Sequence, residues 1–273
     1  MTTRPRPSFP ARLDRLAAPA ARAAQTAPLA AGAAGAPVPA GRAPVRPQGL
    51  GLDSQAVRLA MVQKLAAQGL RDARVLEAMG RVERHRFVDT ALATQAYEDT
   101  SLPIGLGQTI SKPGVVARMA ELLLAGHDQR RSEGRAERMG RVLEIGTGCG
   151  YQAAVLSLLV QEVYSVERLR GLHEKARENL RPLRLPNVHL LFGDGMLGYA
   201  QGAPYAGIIA AAGGEAVPQA WIDQLAVGGR LVAPVAAAGG GAQALMVIDR
   251  TAQGVQQHCL EAVHFVPLKS GIA

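Results

Sequence analysis

Cysteine is nearly absent from this 273-residue chain, which holds only Cys149 and Cys259. Neither has a partner at C-x-x-C spacing, so nothing supports a disulfide framework, a zinc site or a redox pair, and a reducing cytosol is the expected setting. Aromatic residues are almost as scarce, at 4 % with Trp221 as the single tryptophan, which is poor material for stacking single-stranded bases. Long hydrophobic runs are missing too. No stretch reaches the roughly eighteen uncharged apolar residues of a membrane span, so no membrane partner is expected. Near the N-terminus Pro, Arg and Gln interrupt every candidate for the apolar region of a secretory leader. The six histidines, His85, His127, His173, His189, His258 and His264, fall at no metal-ligand spacing, so no metal is expected. The absence of a Gly-x-Ser-x-Gly element weakens a hydrolase reading.

Lysine is missing from the first fifty residues, which carry seven arginines, Asp14 as the one acid, and nine of the chain's seventeen prolines among Ala and Gly runs such as Ala30 to Ala36. Such a segment has too little apolar content to pack a core, and residues 1–50 are expected to form a disordered extension. It also supplies +6 of the formal net charge of +8, so the sequence pI of about 10.1 describes the extension more than the body. In the body, basic and acidic residues are interspersed and only Arg130 with Arg131 makes a dense spot, read as a solvated loop. No nucleic-acid partner is expected for the folded part.

Residues 51–273 read as one domain. Val57, Met61, Leu65 and then Val75, Leu76, Met79 recur at helical steps on either side of Gly69, which predicts two helices. The segment from Tyr97 to Pro113 is polar and broken by Gly and Pro, and no element is expected there. A helix is expected from Pro113 to Leu124, with proline in its first turn where the missing N–H costs nothing, and a charged surface loop from Gly126 to Gly140. Beyond it, strands at Arg141–Gly146, Glu162–Glu167, Val188–Phe192, Ala206–Ala210 and Gly229–Val235 alternate with helices at Tyr151–Leu159 and Leu172–Leu183. That alternation predicts a doubly wound, mostly parallel α/β sheet. Ala244–Ile248 and Ala262–Val266 have no helix between them and are expected to pair as an antiparallel hairpin at one sheet edge. The division is thus 51–125 for a helical module and its following segment, and 141–273 for the sheet.

The first of these strands runs into Glu144-Ile-Gly146-Thr147-Gly148-Cys-Gly150-Tyr151. Alternate glycines let the backbone bend tightly and bring a ligand against the main chain at a helix N-terminus. The second strand ends in Glu167, where a carboxylate can accept from both hydroxyls of a ribose. Tyr151 stands where a dinucleotide site of the G-x-G-x-x-G kind would place its third glycine, and Glu144, two residues before the loop, would repel a pyrophosphate. The E-x-G-x-G-x-G order is similar to the signature of S-adenosylmethionine enzymes, in which the first acid anchors the loop or helps hold the methionine end of the cofactor. Asp194, between Gly193 and Gly195 at the third strand end, could accept from an adenine amino group.

Leu102-Pro-Ile-Gly105-Leu-Gly-Gln108-Thr109-Ile110-Ser111-Lys-Pro113, placed ahead of that loop, resembles the signature of the protein-L-isoaspartate (D-aspartate) O-methyltransferases. Phe87-Val-Asp89, Ser165-Val-Glu167, Gly193-Asp-Gly195 and Phe265-Val-Pro-Leu268 match as well, and the resemblance runs from about Ser54 to the C-terminus. It implies a Rossmann-like methyltransferase fold, S-adenosylmethionine as cofactor, Ser111 as the active-site residue, and Gln108, Thr109, Ile110 and Ser111 beside the cofactor. The loop residues Gly146, Thr147 and Gly148, with Glu144, Glu167, Asp194 and Gly195, complete the implied cofactor site. The implied reaction methylates the α-carboxylate of isoaspartyl, and also D-aspartyl, residues in damaged proteins and peptides. The ester then expels methanol on closing to a succinimide, whose hydrolysis returns part of the material to aspartate. A methyltransferase of small molecules or RNA is the alternative, although it leaves Gln108 to Ser111 unexplained. A cytoplasmic monomer is expected. Two positions depart from the family pattern: Lys112, and Gly114, where a larger side chain such as His or Tyr is common.

Overall fold

The structure, a computed structural model, describes residues 55–128, 138–237 and 242–273. The expected extension 1–50 lies outside the described residues, as does residue range 129–137, most of the expected charged loop. Helix α1 (Gln55–Ala67) buries Met61 and Leu65, and α2 (Ala73–Arg81) buries Val75 and Met79. Gly69 turns the chain between them at a φ of +105°, and Asp72 caps α2 by accepting from the N–H groups of Arg74 and Val75. The two-helix reading holds.

The stretch from Tyr97 to Pro113 is not without structure, contrary to the sequence reading. It forms a small antiparallel hairpin, β1 (Leu102–Gly105) and β2 (Gln108–Ile110), with Leu102 opposite Ile110. Burial drives it: Leu102, Ile104 and Ile110 all enter the main core. Helix α3 (Pro113–Asp128) then runs four residues further than expected.

The remaining elements are β3 (Met139–Ile145), α4 (Tyr151–Leu159), β4 (Val160–Glu167), α5 (Arg170–Leu180), β5 (Val188–Phe192), β6 (Tyr205–Ala210), α6 (Gln219–Gln224), β7 (Leu225–Ala236), β8 (Gln243–Thr251) and β9 (Gly254–Val263). They make a seven-stranded sheet in the order β5-β4-β3-β6-β7-β8-β9. The first five in that order run parallel, and β8 and β9 are antiparallel. The expected edge hairpin is present, although its second strand lies earlier, at Gly254–Val263, leaving Val266 for the cleft described below. Apolar side chains fill both faces of the sheet. Val142, Val163 and Ile209 meet α3 and α4 on one side, while Leu143, Ile145 and Ile208 meet Trp221 of α6 on the other.

Arg230 on β7 and Asp249 on β8, opposite one another in register, form a buried two-pronged pair at 2.8 and 2.7 Å. Arg230 also donates to the carbonyl of Leu122, so the antiparallel edge is fastened to α3. Strand β3 pairs with both β4 and β6, so the chain winds outward in both directions from it. Open α/β sheets bind ligands beyond the carboxyl ends of the strands at such a reversal. Among the described residues no helix is long and apolar enough to cross a membrane.

Candidate active site

The cleft at that reversal has a volume of about 250 Å³ and is walled by the β1–β2 hairpin, the loop after β3, the ends of β4 and β5, and the C-terminal segment. The loop after β3 is held open by three glycines in left-handed conformations, Gly146 (φ +89°), Gly148 (φ +57°) and Gly150 (φ +90°). A Cβ on Gly148 would also stand 3.2 Å from Ile104 of the hairpin. The backbone N–H of Gly146 donates to the carbonyl of Val166 at 2.9 Å, which ties the loop to β4. Glu167 then braces both sides of the cleft, one oxygen accepting from the N–H of Gly148 and the other from that of Leu169, each at 2.9 Å.

Gln108, Thr109, Ile110 and Ser111 of the hairpin face Gly146, Thr147, Gly148, Glu167 and Gly195 around this one cleft. Two residues that the sequence singled out do not line it. Glu144 lies behind the loop, fully buried, where one oxygen accepts from the Ser165 hydroxyl and the other has no partner. Ser165 in turn meets the Thr147 hydroxyl at 2.7 Å, so Glu144 acts on the loop from beneath. Burial pushes its carboxyl up to about 8, opposed by the Ser165 hydroxyl and the neighbouring Gln152 amide and helped by the nearby Glu167 charge. Asp194 is a capping residue: its oxygens accept from the N–H of Met196 at 2.8 Å and of Gly271 at 2.6 Å. Its neighbour Gly195 does face the cleft, and Trp221 fixes it by donating its indole N–H to the Gly195 carbonyl at 2.8 Å.

The hairpin is set by residues that carry no signature of their own. Arg84, wholly buried, donates to the carbonyl of Ala96 at 2.8 Å and lies 4.8 Å above the Tyr151 ring. Within the segment it holds, Asp99 accepts from the N–H of Gly114 at 2.7 Å, at the start of α3. A Cβ on Gly114 would fall 2.9 Å from that carboxylate oxygen, so the small residue at this departure from the family pattern matches a space that Asp99 occupies. Lys112 is exposed and outside the cleft lining. Lys175 on α5 donates to the carbonyl of Ile104 at 2.8 Å and pins the other side of the hairpin.

Sequence reasoning did not find the C-terminal wall as part of the site. Gly213 and Leu268 exchange backbone bonds with Val266 and Gly213, the last residue Ala273 bonds in both directions with Arg168 and Arg170, and Val266 to Lys269 close the cleft. Nor did it find Leu106, Cys149, Gln152 or Arg168, which also line it. Only the Phe-Val-Pro-Leu match hinted at the first of these.

The donor set suits an adenosyl sulfonium cofactor. The left-handed Gly148 leaves a cradle that a side chain would fill, and Glu167 can meet a ribose diol at the strand end. The chain matches the family described as protein-L-isoaspartate(D-aspartate) O-methyltransferase over residues 56–273. A protein-L-isoaspartate O-methyltransferase of Methylibium petroleiphilum is 59 % identical over 271 residues, covering 98 % of this chain and 97 % of that protein. Among solved structures, a protein-L-isoaspartate O-methyltransferase at 27 % identity superposes with a TM-score of 0.68, covering 78 % of this chain and 66 % of the other. A Plasmodium falciparum protein described as a putative protein-L-isoaspartate O-methyltransferase, in complex with S-adenosyl-L-homocysteine, shares the fold at 22 % identity and a TM-score of 0.64, with 78 % and 98 % covered. With its match running through hairpin, glycine loop and C-terminal wall alike, the chain belongs to the protein-L-isoaspartate (D-aspartate) O-methyltransferase family.

Proposed function

We propose that this cleft transfers the methyl group of S-adenosylmethionine to the α-carboxylate of an isoaspartyl, and also a D-aspartyl, residue in damaged proteins and peptides, with Ser111 orienting that carboxylate. The observation that carries the reading is the meeting of two independent elements around one cavity: the Gln108–Ser111 strand end and the glycine loop with Glu167.

When bound, the cofactor supplies an electrophilic methyl on a sulfonium. The chain's own residues then have to align, not to activate. A substrate carboxylate with a pKa near 4 is already ionised at neutral pH and needs no base. The Ser111 hydroxyl can donate to one carboxylate oxygen and set the other in line with the methyl at roughly 3 Å. Joining an anion to a sulfonium cancels charge toward the transition state, so a dry pocket helps. Ile104, Ile110, Val116, Ile145, Val166 and Leu172 supply that apolar lining. Glu167 and the glycine loop hold the nucleoside, and Glu144 with Ser165 and Thr147 keeps the loop in place.

Both cysteines are free, Cys149 buried and Cys259 exposed, in keeping with action in a reducing cytosol, where we read the protein as a monomer. The deciding assay compares methyl incorporation from S-adenosylmethionine into an isoaspartyl peptide, its aspartyl counterpart and its D-aspartyl counterpart. Strong transfer to the first, weak transfer to the third and none to the second is the expected pattern; equal transfer to the first two defeats the proposal.

A further inference from the structure

Of the aspartates in the sequence, Asp194 alone is followed by glycine, and neither Asn179 nor Asn187 is. An aspartate before a glycine is the dipeptide most open to cyclisation, because no side chain shields the following N–H from the carboxyl carbon and the glycine backbone turns freely. Position 195 cannot take a larger residue instead: a Cβ there would stand 2.7 Å from Cγ2 of Ile145. Asp194 is needed as well, since it caps the turn Gly195–Leu197. A reactive pair is therefore built into the end of β5.

The structure holds that pair still. Oδ1 of Asp194 accepts from the N–H of Met196 at 2.8 Å and Oδ2 from that of Gly271 at 2.6 Å, while Trp221 holds the Gly195 carbonyl. For the Gly195 nitrogen to reach Cγ of Asp194, the carboxyl group must swing and release at least one of its two bonds. The bond to Met196 is local, made two residues on as in any turn of this kind. The bond to Gly271 depends on the C-terminal segment, which Arg168 fastens by donating Nε–H to the Gly271 carbonyl at 2.8 Å.

We propose that Asp194–Gly195 is a site of spontaneous isoaspartate formation in this chain, held dormant by the C-terminal segment through Gly271. On release, the Gly195 nitrogen bonds to Cγ of Asp194, and its proton leaves with the carboxyl's hydroxyl as water, giving a succinimide. One water then adds. Opening at the main-chain carbonyl leaves Gly195 joined through the side-chain carboxyl, with the mass unchanged and one methylene added to the main chain. That insertion shifts Gly195, a residue of the cleft lining. The inference concerns the chain's own chemistry and holds whatever the cleft methylates.

The test ages full-length, ligand-free protein at neutral pH, digests it, and resolves the peptide carrying residue 194 by chromatography and mass spectrometry against synthetic aspartyl and isoaspartyl standards. Arg168→Met unfastens Gly271, and a chain ended after Ser270 lacks the Gly271 N–H altogether. Both are expected to accumulate isoaspartate at position 194 roughly ten-fold faster than wild type, the worth of one hydrogen bond to a charged group. Wild-type rates at this position in both variants overturn the proposal. Should the variants melt early, the wild-type protein supplies the comparison: isomerisation at position 194 in denaturant must outrun that in the folded protein, and equal rates in the two defeat the inference.

Discussion

Ser111 and Glu144 make opposite use of a polar side chain. The first is partly exposed at the cleft, and its proposed work is orientation, so the expected result of Ser111→Ala is graded: kcat for an isoaspartyl peptide down roughly ten- to a thousand-fold, with cofactor affinity within a few-fold. The rate should persist below pH 7 and fall only as the substrate carboxylate protonates near a pKa of about 4. A steep loss between pH 8 and 6 in the wild-type rate profile would reveal a general base instead. Glu144 is buried, and its consequence is for stability. Its carboxyl stays protonated in the folded protein up to about pH 8, while in the unfolded chain it ionises above about 4.5. Ionisation therefore favours the unfolded chain, so this contribution to stability is whole below about pH 4.5 and is lost as pH rises toward 8. Melting curves of ligand-free protein across that window should show Glu144→Gln losing less stability than wild type as pH rises. Parallel slopes would mean that the buried carboxyl does not titrate there. Both residues were visible in the sequence. Ser111 lines the cleft where the motif led one to expect it; the place of Glu144 was not legible, since an acid two residues before a glycine loop reads the same whether it faces the ligand or lies beneath the loop. Asp194 shows the same limit: its capping of Gly271 joins residues 77 apart in the chain.

At the level of elements, strand–helix alternation made the parallel sheet legible because each strand carries its own continuous apolar run. The β1–β2 hairpin escaped for a physical reason. Three- and four-residue strands have too short a period to register, and their stability comes from Ile104 and Ile110 reaching a core built elsewhere in the chain. The turn between them is unusual in holding Leu106 at a φ of +52°, flanked by Gly105 and Gly107 in left-handed conformations. A leucine there costs about 1–2 kcal/mol of backbone strain, and its side chain is 62 % exposed at the cleft. Burial in the free protein does not account for it; contact with a bound peptide would. Leu106→Asn, which accepts the left-handed conformation more readily, is expected to leave the melting temperature within a few degrees of wild type and to raise KM for isoaspartyl peptide several-fold, with cofactor affinity unchanged. An unaltered KM would show that Leu106 makes no contact with substrate.

For the whole molecule, the family match begins at residue 56, whereas the alignment with the Methylibium relative spans 98 % of the chain and so enters the arginine- and proline-rich segment. Fold and reaction need only the former. Removal of residues 1–50 is expected to leave the melting temperature and isoaspartyl methylation nearly as they were, because that segment has too little apolar content to share a core. A large fall in either would show that it does. The C-terminal wall carries the opposite lesson. The cleft is completed by Val266 to Lys269, and the stitching of Gly271 and Ala273 to the strand ends follows at the very end of the chain. A single peptide-bond cleavage between Val263 and Val266 would thus leave the sheet and the glycine loop in place and the cofactor site open on one side.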